Sequence, residues 1–206
     1  MKVSRRSWYL PCLIWGLLAL PPLRHALEMS MITHMLVQLP VLAFLGWWLG
    51  QTFPEKLKRR IAPWNRWGIS GMILVVVTVF YWMLPRALDA AISEPLFEIA
   101  KFIGIPLFVG TALSLSWFQL NFIARGVLML EFWAMFMRLG WLYVVLPDRL
   151  CANYLLGEQR ILGRALLILG GIWAVSWTLR VLFGVKWKKP KMLASNLSLS
   201  EKNKSP

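Results

Sequence analysis

The sequence predicts an all-α integral membrane protein, a bundle of about six transmembrane helices with both termini in the cytoplasm. Three observations support this prediction. Of the 206 residues, 58% are hydrophobic and only 16% are charged, whereas soluble domains have about 45–50% apolar and about 25% charged residues. The apolar residues form long blocks, and a helix needs about 20 of them to cross a bilayer. The basic residues cluster between alternate blocks.

Six apolar blocks follow one another along the chain. They are Trp8–Leu20, Met29–Leu49, Gly68–Leu84, Phe102–Phe118, Phe122–Leu146 and Leu162–Val185. The first block follows a basic start and has the length of a signal-peptide core. Pro21 and Pro22 come after it in place of a small-residue cleavage pattern, so we expect a retained anchor.

The lysine and arginine clusters predict the orientation, because short cytoplasmic loops are rich in both residues. The clusters are Lys2, Arg5 and Arg6; Lys56, Lys58, Arg59, Arg60 and Arg66; and Lys186, Lys188, Lys189 and Lys191. Six spans place all three on one side, and the connections Pro21–Glu28, Pro85–Lys101 and Pro147–Ile161 on the other. We expect residues 1–187 to form the transmembrane domain and residues 188–206 a basic, disordered cytoplasmic tail.

The net charge of +14 is explained by these cytoplasmic flanks, which contact anionic lipid headgroups. No nucleic-acid-binding module is recognisable, so nucleic acid is not an expected partner. The Rossmann, P-loop, H-E-x-x-H and G-x-S-x-G signatures are missing, and so is a C-x-x-C pair. We therefore expect a membrane protein without enzymatic activity, with lipid as its immediate partner.

The stretch RHALEMSMITHMLVQLP, residues 24–40, contains both histidines of the chain and three of its methionines. At about 100° per residue, one arc of this helix holds Met31, His34, Met35 and Gln38. A second arc holds His25 and Met29. Imidazole together with thioether favours copper, and thioether selects Cu(I). A structural interpretation stays open, because methionine fills membrane helices and a histidine can hydrogen-bond between two of them.

A second segment, FYWMLPRALDAAISEPLFEIAKFIGIPLFVG, places Trp82, Pro85 and Asp89 before Pro95, Glu98 and a new apolar block. The earlier segment ITHMLVQLPVLAFLGWWLG contains His34, Met35, Pro40 and Gly46 in that order. Together, these segments resemble the CtaG-type family of cytochrome c oxidase assembly proteins, over about residues 24–117. The resemblance implies a membrane protein that handles copper for a respiratory oxidase.

The chain departs from that family in its histidines. The Trp-x-x-Pro segment reads Trp82-Met83-Leu84-Pro85, with Met83 where the resemblance implies a histidine, and Glu98 lies near another expected histidine. A metal site would then be weaker, built from methionine and carboxylate, or lost, and the supporting candidates are Met83, Asp89 and Glu98. For Asp89, pairing with Arg86 at the membrane surface is the favoured alternative.

We therefore predict a copper-handling assembly factor of a respiratory copper oxidase, which holds Cu(I) at the outer face of a bacterial cytoplasmic membrane. The expected ligands are His34, Met31 and Met35, with His25 and Met29 as a second or entry group. An oxidase subunit or another membrane subunit is the expected partner. Two alternatives stay open: a structural subunit or scaffold of a membrane complex, and a small ion- or proton-coupled transporter.

The fifth block contains two ionisable residues, Glu131 and Arg138, on nearly one helix face. Seven residues rise about 10 Å along a helix, so we expect no direct contact between them. The structural interpretation has Glu131 as a paired residue that helps to hold the bundle together, and Arg138 reaching outward to the membrane surface. An ion or proton path is the functional alternative.

Overall fold

The computed structural model describes residues 8–183, which form helices and no strand. The chain divides into two units, Met1–Gly170 and Gly171–Pro206. The first and last basic clusters and the predicted tail at 188–206 lie outside the described residues.

Nine helices make up the described part of the chain. They are α1 (Tyr9–Ala19), α2 (Pro21–Glu28), α3 (Met31–Thr52), α4 (Glu55–Ile61), α5 (Ile69–Met83), α6 (Pro85–Ser93), α7 (Pro95–Ser116), α8 (Phe122–Val145) and α9 (Leu156–Leu182). Four of them, α3, α7, α8 and α9, are long and apolar enough to cross a membrane. The pairs α1–α2 and α5–α6 are bent by 70° and 73°, and each could count as one further broken span. The predicted all-α class is confirmed for the described residues, which contain four to six candidate membrane spans.

Proline causes both bends. Pro21 and Pro85 stand in the first turns of α2 and α6. The residues before them, Leu20 and Leu84, have extended backbone with ψ of 134° and 129°. A residue that precedes proline is disfavoured in the helical region, so each span ends there. The short helices α2 and α6 therefore leave their spans at a steep angle.

Small residues bring α3 and α7 into direct backbone contact. A methyl group added at Gly46 would lie 2.0 Å from the carbonyl oxygen of Pro106, and one at Gly110 would lie 2.3 Å from that of Ala43. Only glycine allows such an approach. Membrane helices associate in this way because lipid supplies no hydrophobic force between them.

Both helices of this pair also contain a π-helical segment, His34–Gln38 in α3 and Ile105–Thr111 in α7. In the second segment, the Thr111 hydroxyl donates to the carbonyl oxygen of Leu107. Such wide turns redirect side chains and are frequent at functional sites. In α3 the wide turn begins at His34, which is a predicted ligand.

In the second unit, the described residues belong to α9 up to Leu182. The hydroxyls of Ser176 and Thr178 donate to the carbonyl oxygens of Ile172 and Ala174, at 2.7 and 2.9 Å. These bonds to the preceding turn satisfy the hydroxyls within the helix, as is usual for serine and threonine inside a helix.

Candidate metal site and buried polar cluster

The helices α2 and α7 meet through two ion pairs. Lys101 is fully buried, and its Nζ lies 2.5 Å from Oε1 of Glu28. Arg24 pairs with Glu98. The same Glu28 oxygen accepts from Nε2 of Gln38, at 3.3 Å. Buried charges require partners of this kind, because removal from water is costly for an isolated ion.

The loop between α8 and α9 is held against α6 by Asp89. Its carboxylate accepts from the backbone N–H groups of Ala152 and Asn153, at 2.6 and 3.3 Å. The side-chain amide of Asn153 also donates to it, at 3.3 Å. Asp89 therefore anchors this loop, where the sequence favoured a pair with Arg86.

These contacts bring the three connections predicted on one side of the membrane to one end of the helices. The end of α2, the start of α7 and the loop before α9 all contribute side chains to a single region there. We call the group Arg24, Glu28, His34, Gln38, Lys101 and Tyr154 the buried polar cluster. Its members come from positions up to 130 residues apart in sequence, yet each contacts another member.

The imidazole of His34 lies in this cluster, with the side chain fully buried. Its Nδ1 is 2.8 Å from the hydroxyl oxygen of Tyr154, and that hydroxyl donates to the backbone carbonyl of Glu28 at 3.0 Å. Burial raises the pKa of the Tyr154 hydroxyl above its ordinary range, so the group stays protonated at neutral pH. A hydroxyl has one hydrogen. Since Tyr154 gives it to Glu28, the hydroxyl accepts from His34, and Nδ1 carries the proton of the neutral imidazole.

The other ring nitrogen therefore holds a free lone pair. Nε2 of His34 is buried without a hydrogen-bond partner, and so is Oε1 of Gln38, one turn further along α3. A buried polar atom without a partner costs about 1–3 kcal/mol. Met31 and Met35, which are also buried, flank His34 on the same side of α3. Helix α3 thus carries an orphaned imidazole nitrogen in the cluster and two buried thioethers close to it in sequence.

The two predicted groups of ligands differ in burial, as expected for two different arcs of one helix. Met31, His34 and Met35 face the interior, whereas Met29 is 79% exposed and His25 is also exposed. Nε2 of His25 lies 3.3 Å from an Arg24 guanidinium nitrogen. The exposed pair is therefore available at the surface of this end but is not part of the buried group.

The supporting candidates have other contacts. Met83 packs against the apolar core, Glu98 pairs with Arg24, and Asp89 holds the loop. Within residues 8–183, no group of three or more histidine, cysteine, aspartate or glutamate side chains is arranged to hold a metal ion. A metal site at this end would therefore depend on methionine sulfur.

Both cysteines are free. Cys151 is buried in the loop before α9, with its Sγ 3.8 Å from the carbonyl oxygen of Pro85. Burial raises the pKa of the Cys151 thiol to about 12. The group is therefore a neutral thiol at neutral pH, and a neutral thiol is neither a nucleophile nor a good metal ligand.

Sequence reasoning missed the importance of Lys101 and Tyr154. Lys101 was read as the edge of a connection, although its position three residues after Glu98 places both on one side of a helix. Tyr154 gave no signal at all, because its contact with His34 joins residues 120 positions apart.

The expectation for Glu131 and Arg138 was wrong, because the two side chains make direct contact. Nη2 of Arg138 lies 2.8 Å from Oε1 of Glu131, and its Nε donates to the carbonyl oxygen of Ala134 at 3.2 Å. Side chains on a helix lean toward its N-terminus. The long arginine side chain therefore bridges the two turns that separate it from Glu131.

Comparison of the chain with protein-family models, with curated proteins and with solved structures gives no match.

Proposed function

We propose that this chain handles copper, and that His34 holds Cu(I) through Nε2 with Met31 and Met35 as soft ligands. The supporting observation is the buried lone pair of Nε2, which has no hydrogen-bond partner. A metal-binding imidazole usually donates its other N–H to a neighbouring group, which fixes the tautomer and the ring orientation. The Tyr154 hydroxyl is in position to accept this bond from Nδ1 of His34.

The ligand chemistry favours Cu(I) over other ions. Calcium and magnesium bind several oxygen atoms, and zinc sites use three or four nitrogen, sulfur or carboxylate ligands. Imidazole and thioether are the ligands that suit Cu(I). Because the desolvation penalty of an ion rises with its charge, a monovalent ion also costs less to bury than a divalent one.

A transfer role fits the depth of the site. His34 is 0% exposed, so an ion reaches it only when α2 and the loop before α9 move away. The exposed His25 and Met29 would receive the ion first. We propose that the chain delivers it to a respiratory copper oxidase, as an assembly factor, and the resemblance to CtaG-type proteins supports this choice.

The same proposal gives the topology. Six spans, with both bent pairs counted, put the basic clusters and both termini in the cytoplasm. The buried polar cluster then lies at the outer face of a bacterial cytoplasmic membrane. The contacts among the three outer connections support this arrangement, since they require those connections to share one side.

Anaerobic titration of the full-length protein with Cu(I), in competition with a chromophoric chelator, tests the proposal. We expect stoichiometric binding that His34→Ala abolishes and Met31→Leu weakens. The matched controls are His25→Ala and Met29→Leu, which change the same residue types at exposed positions and should retain the buried site. Unchanged Cu(I) stoichiometry in His34→Ala would refute the assignment.

A second candidate function is proton-coupled transport, and the fully buried pair of Lys101 and Glu28 favours it. Ionisable groups inside a membrane often belong to proton or ion paths. In vesicles loaded with a pH-sensitive dye, this function predicts proton flux that Glu28→Gln abolishes. If the His34→Ala variant binds Cu(I) normally and no proton flux is found, a structural subunit or scaffold of a membrane complex is the remaining alternative.

A further inference from the structure

The ion pair of Glu131 and Arg138 lies near the middle of α8. Glu131 is nine residues from the first residue of this helix, Phe122, and Arg138 is seven residues from the last, Val145. At a rise of about 1.5 Å per residue, the two positions are about 13 and 10 Å from the nearer helix end. The whole helix is about 36 Å long, only slightly longer than the hydrocarbon core of about 30 Å. Both residues therefore lie within the hydrocarbon core.

Both side chains nevertheless point outward from the chain. The Glu131 side chain is 41% exposed and that of Arg138 is 61% exposed. Arg138 does not reach for the membrane surface, because its bonds to Ala134 and Glu131 direct the guanidinium toward the centre of the helix. Charged side chains at this depth almost always face a bundle interior or a partner. An outward-facing pair at this depth therefore indicates a covering group.

Arg138 belongs to a continuous stripe along α8, and Glu131 lies at the edge of this stripe. The α8 stripe consists of Ile123, Val127, Leu130, Ala134, Arg138 and Trp141, which are exposed or half-exposed. Successive members are three or four positions apart, which is the spacing of one helix face. Apolar members alone would be ordinary lipid contacts. The ion pair is the feature that lipid does not explain.

We propose that the α8 stripe is the contact face between two copies of this chain, in which Glu131 of each copy meets Arg138 of the other. The occupant follows from charge complementarity. A two-fold interface brings one patch against itself, so the patch must be complementary to itself. A patch with one carboxylate and one guanidinium meets this condition, whereas a patch of one sign would repel its copy.

The geometry of a membrane suits this arrangement. Two copies inserted in the same direction place equal residues at equal depth. Glu131 and Arg138 already meet at one depth within each chain, so two copies bring together two carboxylates and two guanidinium groups that can alternate around the two-fold axis. The group of four is neutral and is removed from lipid. The small side chain of Ala134 allows the helices to approach closely beside it.

Energy transfer between donor- and acceptor-labelled full-length copies in vesicles tests the interface, over a range of protein-to-lipid ratios. Glu131→Gln leaves two arginines facing each other, and Arg138→Gln leaves two glutamates. We expect each variant alone to associate about tenfold more weakly than the wild type. A mixture of the two variants should recover association, because each copy supplies the charge that the other lacks. A role confined to one chain predicts no such recovery.

Leu130→Trp provides a second test that leaves the charges in place. Leu130 is 61% exposed, and Ile168 on α9 is 62% exposed, so Ile168→Trp is the matched control. We expect only the first variant to lower energy transfer. Absence of transfer in the wild type, no recovery in the mixture, or equal effects of the two tryptophans would each overturn the proposal. Coverage of the stripe by a lipid or a different membrane protein would give the first of these results.

Discussion

Two ion pairs of the molecule have opposite surroundings. Glu28 and Lys101 come from different helices, are buried, and share their interactions with Gln38. Glu131 and Arg138 come from one helix and are exposed. A buried pair is held by its neighbours, and removal of one partner leaves a charge without compensation. The stability of an exposed pair within the hydrocarbon core depends on what covers it from outside. The comparison therefore assigns Glu28 and Lys101 a structural role inside the chain, and Glu131 and Arg138 a role at its outer surface.

The largest expected effect is loss of one partner of the buried pair. Glu28→Gln leaves the Lys101 ammonium buried without a carboxylate, and we expect a loss of about 3–5 kcal/mol in the free energy of unfolding. The double variant Glu28→Gln/Lys101→Met removes both charges and should recover most of this loss. Unfolding titrations with sodium dodecyl sulfate in mixed micelles measure both. If Glu28→Gln is as mild as Glu131→Gln, the distinction between the two pairs fails.

The second effect concerns the packing that brings the buried side chains together. Gly46→Ala places a methyl group 2.0 Å from the carbonyl oxygen of Pro106, so α3 and α7 must move apart. We expect a loss of about 2–3 kcal/mol, within the range of overpacked cores. Gly16→Ala is the control, because no atom lies within 4 Å of the added methyl group. Equal unfolding free energies of the two variants would contradict direct contact between α3 and α7.

A smaller effect is expected for the hydroxyl beside His34. Tyr154→Phe removes the group that accepts from Nδ1 and leaves the ring in place. If His34 binds Cu(I), we expect the affinity to fall about 10–100-fold, as for other second partners of a metal-binding imidazole. Stability should fall by about 1–2 kcal/mol, because the hydroxyl makes two hydrogen bonds and each contributes about 1 kcal/mol. Chelator competition measures the first and unfolding titration the second. If the variant keeps its Cu(I) affinity but has a lower free energy of unfolding, the role of Tyr154 is structural only.

The sequence predicts the spans better than their ends. The apolar block Phe102–Phe118 corresponds to a helix that begins earlier, at Pro95. Its first turns contain Glu98 and Lys101, whose charges are compensated by ion pairs with α2. Hydropathy treats those two residues as the start of a connection. The bends at Pro21 and Pro85 are visible in the sequence, since proline ends the helix before it.

The candidate site is predictable only in part, for a similar reason. The arc that holds Met31, His34 and Met35 follows from helical periodicity alone, and all three are buried. The tautomer of His34 follows from its contact with Tyr154, from a loop 120 positions away. No local pattern contains that contact, because it arises only when the loop before α9 is held against α6 by Asp89.

The smallest expected effect belongs to the exposed pair. In dilute vesicles, where single copies predominate, Glu131→Gln/Arg138→Gln should change the unfolding free energy by less than about 1 kcal/mol, because both charges are removed together and neither is left without a partner. At high protein-to-lipid ratio the same variant should lose stability relative to the wild type, since association stabilises only the folded state. Unfolding measured at both ratios therefore separates a contribution within one chain from a contribution between chains. A large loss in dilute vesicles would mean that the pair stabilises α8 itself, and the contrast with Glu28 and Lys101 would disappear.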